Sequence, residues 1–108
     1  MKHVLSFGYE RTLLQLRSMV LRQAGYVVHE AYSLPEALKE ALPDCIDVVL
    51  ICHSVPRDNA EHLISALRAV RKSLPIVCVT LQGFQALEDC IAVANSPSEL
   101  LNAVLRAA

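Results

Sequence analysis

Asp47-Val48-Val49-Leu50-Ile51-Cys52-His53-Ser54-Val55-Pro56 carries the strongest structural signal in the chain. An almost unbroken apolar run, from Ile46 to Cys52, is too short for a helix of ordinary length and is rich in β-branched residues. It therefore reads as a strand covered on both faces, the signature of a parallel sheet. His53 to Pro56 then breaks the run into a loop. In open α/β sheets the carboxyl ends of such strands border the crevice where ligands bind. Cys52 stands at that end.

On either side of this strand, short apolar runs alternate with helical patterns, as in a wound α/β fold. His3 to Phe7 reads as the first strand. From Arg11 to Ala24, Leu13, Leu14, Leu16, Val20 and Leu21 suggest a helical stripe, and Gly25 follows as a C-terminal cap. Tyr26 to Ala31 is the second strand. Ser33 and Glu36 form a capping box for a helix with Ala37, Leu38, Ala41 and Leu42 on one face, ending before Pro43. A third helix is expected from Asn59 to Ser73, with Ala60, Leu63, Ile64, Leu67 and Val70 inward. Pro75 opens the fourth strand, Ile76 to Thr80. The segment from Leu81 to Asp89 has room for a short helix at most. Ile91 to Ala94 is the fifth strand. Ser96-Pro97-Ser98-Glu99 begins a last helix with Leu100, Leu101, Val104 and Leu105 on its apolar face. Right-handed crossovers favour a flavodoxin-like, doubly wound, five-stranded parallel sheet of order 2-1-3-4-5. The 108 residues form a single domain in this reading, large enough to remove roughly two-thirds of the unfolded surface from water.

Three stretches carry a resemblance that spans nearly the whole chain. They are Gly25-Tyr26-Val27-Val28-His29-Glu30-Ala31, the helix around Glu36-Ala37-Leu38, and Pro75-Ile76-Val77-Cys78-Val79-Thr80. With the Cys52 to Pro56 loop, their order and spacing resemble bacterial response-regulator receiver domains of the CheY-like kind. The resemblance implies a phosphotransfer switch in two-component (phosphorelay) signal transduction. It places the phospho-acceptor Asp at Cys52, the Mg²⁺-holding acidic pair at Gly8 and Tyr9, the switch Thr at Thr80, and the family's Lys-Pro at Ser96 and Pro97. Of the active-site positions only Thr80 fits, while Pro97 follows the degenerate Lys position at Ser96. Glu10 adjoins the acidic-pair position, one residue out of phase.

That substitution pattern has a chemical consequence. A hard cation such as Mg²⁺ takes oxygen ligands, carboxylates above all. Phosphoryl transfer needs metal and cationic groups against the equatorial oxygens. Metal ligands, acceptor and cation are replaced together. The chain is thus expected to be a degenerate pseudo-receiver, not an enzyme, with no metal and no cofactor. Its pocket would be packed and switched off, with Tyr9 lying over Cys52. It would act by protein–protein interaction on a signalling protein such as a histidine kinase or another regulator. The resemblance also admits a homodimer. However, Thr80 and Ser96 lie only 16 positions apart (80 to 96), which shortens the fourth helix and alters the face that receivers commonly use for partners. The alternative is a small-ligand or thiol-redox sensor built on the vacated pocket around Gly8, Tyr9, Cys52 and Ser96.

Composition narrows the rest. Hydrophobic residues make up 54% and charged residues 19%, against disorder. A net charge of −1 gives no general pull toward DNA or anionic membrane, and aromatics at 5% are too few for stacking on single strands. No apolar run is long enough to span a bilayer and the first residues do not form a signal peptide, so a cytoplasmic protein is expected. The four cysteines form no Cys-x-x-Cys pair, and Cys45 and Cys52 would lie roughly 20 Å apart along one strand, beyond disulfide reach. His3, His29, His53 and His62 share no ligand spacing. Arg57, Arg68, Arg71 and Lys72 read as solvated charge. Gly8-Tyr9 lacks the Gly-x-Gly-x-x-Gly pattern of a dinucleotide site.

Overall fold

The computed structural model describes residues 2–41, 45–52, 54–71, 73–80, 91–94, 101–102 and 104–105, and for Thr80 and residues 91–94 the backbone alone. Five parallel strands, β1 (His3–Phe7), β2 (Val27–Ala31), β3 (Val48–Ile51), β4 (Ile76–Thr80) and β5 (Ile91–Ala94), lie in the order β2-β1-β3-β4-β5. The expected fold class and strand order hold, and β1, β4 and β5 have the expected bounds. The expected short fourth helix falls outside the described residues.

Side chains alternate across this sheet, so two apolar cores form. On one face Leu5, Phe7, Ala31, Val49, Ile51, Ile76 and Cys78 meet helices α2 (Leu34–Ala41) and α3 (Arg57–Val70). On the other, Val4, Val28, Val48, Leu50, Val77 and Val79 meet Leu21 of helix α1 (Arg11–Gln23) and the helical residue Val104. Leu5, Leu21, Leu50, Leu63 and Leu67 are completely buried. Each such burial contributes about 1.5–3 kcal/mol. This face-by-face division fixes which residues meet at the carboxyl end.

Helix boundaries follow local chemistry. Gly25, at φ 98°, closes α1. Its N–H bonds to the Arg22 carbonyl and the Tyr26 N–H to the Leu21 carbonyl, the paired pattern of a Schellman cap. Tyr26 therefore belongs to the cap, and β2 starts at Val27. Ser33 Oγ accepts from the Glu36 N–H, as a capping box requires, while the Glu36 carboxylate accepts from the Tyr32 N–H, one residue before the expected one. Pro56 (φ −58°) leads into α3, which begins at Arg57 and ends at Val70, earlier at both ends than the sequence suggests. Leu42 and Pro43 lie outside the described residues.

Two expected stripes need correction. At about 100° per residue, Leu16 falls about 200° from Leu14, on the far side of α1. It is 55% exposed, as is Met19. The inward positions are Leu14, Arg17, Ser18 and Leu21, so two polar residues occupy a buried helix face. On α3, Ala60, Leu63, Ile64 and Leu67 are buried as expected. Val70, at the angular edge of that stripe, is 66% exposed. Near the C-terminus Val104 is buried but Leu105 is exposed.

Candidate functional site

The carboxyl ends of β1 and β3 bring Gly8 and Cys52 side by side. The Cys52 N–H donates to the Phe7 carbonyl (2.8 Å) and the Gly8 N–H to the Ala31 carbonyl (3.1 Å), which extends the ladder by one residue past each strand. Both residues are buried, Cys52 being 2% exposed. A Cβ added at Gly8 would stand 3.1 Å from Cys52 Cβ, 3.2 Å from Ser54 Oγ and 3.3 Å from Leu14 Cδ1. Those separations are tighter than ordinary carbon contacts, so a side chain larger than hydrogen must displace its neighbours.

Ser54 links the loops after β1 and β3. Its hydroxyl accepts from the backbone N–H groups of Tyr9 (3.0 Å) and Glu10 (3.3 Å). These amides precede α1, whose first residue is Arg11, and Glu10 makes no side-chain cap of its own. The loop after β3 thus does the capping that the loop after β1 does not do for itself.

Tyr9 turns away from Cys52. Its ring meets Phe7 edge-on, with centroids 5.4 Å apart, and its hydroxyl accepts from the Asn59 side-chain amide on α3. The expectation that Tyr9 lies over Cys52 is not met: Phe7 faces the α2 and α3 side, while the thiol faces α1. The Arg11 guanidinium lies 3.9 Å above the Tyr32 ring, so this cation too is engaged within the rim.

Beneath Cys52 lies a polar seam that apolar periodicity alone does not show. Arg17, 6% exposed, comes down from α1, and Ser6, fully buried, comes up from β1. Burial pushes the Cys52 thiol above its ordinary value of 9.0; the Arg17 charge, its hydrogen bond and the Ser6 hydroxyl act in the opposite direction and offset only part of that. The Ser6 hydroxyl makes no full hydrogen bond, and its polar neighbour is the thiol, a weak partner. Farther along the same face, Ser18 Oγ donates to Glu30 (2.9 Å), and the Arg22 guanidinium stands 3.9 Å from the same carboxylate. Two signals in the sequence mark this seam: Ser6 interrupts an apolar strand, and Arg17 and Ser18 follow Leu14 at three and four residues.

These residues do not suit Mg²⁺. Of the three positions after β1, Glu10 alone carries a carboxylate, and it is exposed. Position 8 is a glycine whose neighbours would have to give way to any side chain, and position 52 offers a protonated thiol beside a guanidinium. Asp47 is at the opposite end of β3, accepting from the His3 N–H at 2.7 Å. Among the described residues no group of three or more His, Cys, Asp or Glu is placed to hold a metal ion. Thr80 ends β4 opposite Ala94 of β5, with its side chain outside the described residues. Ser96, Pro97 and His53 also lie outside them. The cationic side chains of the third helix are dispersed: Arg57 pairs with Glu61 (2.8 Å), and Arg68 donates to the Leu74 carbonyl. His3 and His29, remote in sequence, are brought together.

Solved structures of response regulators share this architecture. A putative response regulator from Chloroflexus aurantiacus is 26% identical and superposes with a TM-score of 0.84, covering 98% of this chain and 96% of its own. The chemotaxis protein CheY4 of Vibrio cholerae is 24% identical with a TM-score of 0.84, covering 100% of this chain and 99% of its own. The response regulator TrrA of Thermotoga maritima, solved with Mg²⁺ and beryllofluoride, is 21% identical with a TM-score of 0.84 over the full length of both. The chain has the CheY-like fold of response-regulator receiver domains. No family model matches the sequence, and no curated protein matches it.

Proposed function

We propose that this chain is a receiver-fold module of two-component signalling that is not phosphorylated at the family's position and acts by contact with a protein partner. The observation that carries this reading is the close packing of Gly8, Cys52 and Ser54 at the ends of β1 and β3. There the position of one metal-binding acid is a glycine at which even a Cβ would stand 3.1–3.3 Å from its neighbours, the acceptor position holds a neutral buried thiol, and Ser54 accepts from the amides of the next two residues. A receiver switch needs a carboxylate to take the phosphoryl group and a metal to neutralise it. At the acceptor position stands a thiol, and of the three positions after β1 Glu10 alone offers a carboxylate, on the exposed surface. The well-packed sheet and helices meanwhile keep the outer surface of the fold, which is what a partner reads.

A thiol-redox role for Cys52 is disfavoured by the same geometry. Reactive thiols are exposed and hold a lowered pKa, whereas this one is buried and raised. The test of the leading reading is affinity capture from the source cell, with and without an acyl-phosphate donor and Mg²⁺. The expected result is retention of a two-component protein, a kinase or another regulator, to the same extent under both conditions. Retention that depends on the donor would overturn the reading.

A further inference from the structure

At the end of the sheet away from the Cys52 crevice, the fold assembles a second constellation. His3 stands opposite Val27 and His29 opposite Leu5 in the parallel register, so the two are diagonal neighbours on one face. His3 Nδ1 and His29 Nε2 are 2.9 Å apart. The ring centroids are 5.2 Å apart and the planes differ by 24°, so the rings meet tip to tip with their nitrogens pointing at each other. On the other side of His29, Nδ1 lies 3.9 Å from a carboxylate oxygen of Glu40 on α2. The side chains of His29 and Glu40 are 30% and 44% exposed, so solvent and small ions can reach them.

We propose that His3 and His29 form a two-imidazole site for a divalent transition metal of the zinc class, with Glu40 as the outer carboxylate that orients His29. In the metal-free state one ring donates an N–H to the other's lone pair, and that shared proton is what the ion replaces. Zinc–nitrogen bonds of about 2.0–2.1 Å place tetrahedral neighbours about 3.3 Å apart, so the pair opens by a few tenths of an ångström and the rings turn toward the ion. A carboxylate hydrogen-bonded to the far nitrogen of a ligating histidine fixes its tautomer and raises its basicity, and Glu40, 3.9 Å from His29 Nδ1, reaches that distance by a small side-chain shift. Imidazole suits zinc, copper and nickel, whereas Mg²⁺ prefers oxygen. Because no third His, Cys, Asp or Glu joins the pair among the described residues, water completes the coordination. The bound ion would clip the edge strand β2 to its neighbour β1 and stabilise the fold by mass action.

The test is a Zn²⁺ titration of the full chain followed by ¹⁵N and ¹H spectra of the four histidine rings, with thermal unfolding in parallel. The expected result is a saturable change confined to His3 and His29, at His3 Nδ1 and His29 Nε2, with a rise in Tm that chelation reverses. His29→Gln should abolish the Tm rise. Cys45→Ser, which removes an exposed thiol outside the pair, should retain it. A Zn²⁺ response centred on His62 or His53, an undiminished response in His29→Gln, or no response in a wild-type chain shown to be folded would each overturn the assignment.

Discussion

The absent Cβ of Gly8 and the Cβ of Cys52 would be 3.1 Å apart, nearer than two such carbons normally approach. The other two neighbours of that position are constrained as well. Ser54 is held by two backbone amides, and Leu14 belongs to the buried face of α1. Gly8→Ala therefore overpacks the junction. Overpacking costs about 1–3 kcal/mol, against a gain of about 0.4–1 kcal/mol from a less flexible unfolded chain. A net loss on the order of 1 kcal/mol should appear as a lower urea midpoint at unchanged slope. An unchanged or higher midpoint would show that the junction has room.

Ser54 ties two loops through one hydroxyl. Ser54→Ala leaves the Tyr9 and Glu10 amides without this partner, and loss of an N-terminal cap of this kind costs about 0.5–2 kcal/mol. Ser54→Thr, which keeps the hydroxyl, should lose less. Hydrogen exchange at the Tyr9 and Glu10 amides gives the local reading: faster in the alanine variant, near wild type in the threonine variant.

The buried thiol predicts a pH effect of definite sign. Its folded pKa is raised above the ordinary 9.0, so the folded state holds the proton after the unfolded chain has released it. Stability linked to Cys52 is fully present below that ordinary value and is lost as pH climbs above it. Cys52→Ala should flatten this part of the alkaline decline, measured as the difference between the two unfolding curves from neutral to alkaline pH. In the native protein a thiol reagent should reach the exposed Cys45 first, and Cys52 only at a rate far below that in denaturant. Prompt native labelling of Cys52 would contradict the packing described.

Gly25 closes α1 in the left-handed region at φ 98°, and a Cβ placed there would have nothing within 4 Å. Gly25→Ala is thus a test of backbone strain without steric clash. A cost of about 1–2 kcal/mol is expected from the left-handed penalty. Thermal or urea unfolding measures it.

Much of the fold is legible in the sequence because two periodicities coincide with punctuation. Pro75 and Gly25 mark where elements begin and end, and β1, β4 and β5 contain runs with no competing pattern. The helix faces are less legible because apolar identity and angular position disagree. Leu16 is apolar but points outward, while Arg17 points inward because the rotation from Leu14 requires it. The capping of Glu10 by Ser54 and the His3–His29 pair depend on strand register, which joins residues 44 and 26 positions apart and leaves no local trace. The thiol at Cys52 is visible as a residue type, but its raised pKa depends on burial and on an arginine from another element.

A buried thiol at position 52, packed against Gly8, should be unable to accept a phosphoryl group from such a donor. The decisive experiment is incubation of the intact chain with a small acyl-phosphate donor and Mg²⁺, followed by intact-mass measurement under mild acid. The mass is expected to stay unshifted under conditions that fully label a receiver with its acceptor Asp. A covalent phosphoryl adduct mapped to the loop around Cys52 or to the segment after β1 would contradict this.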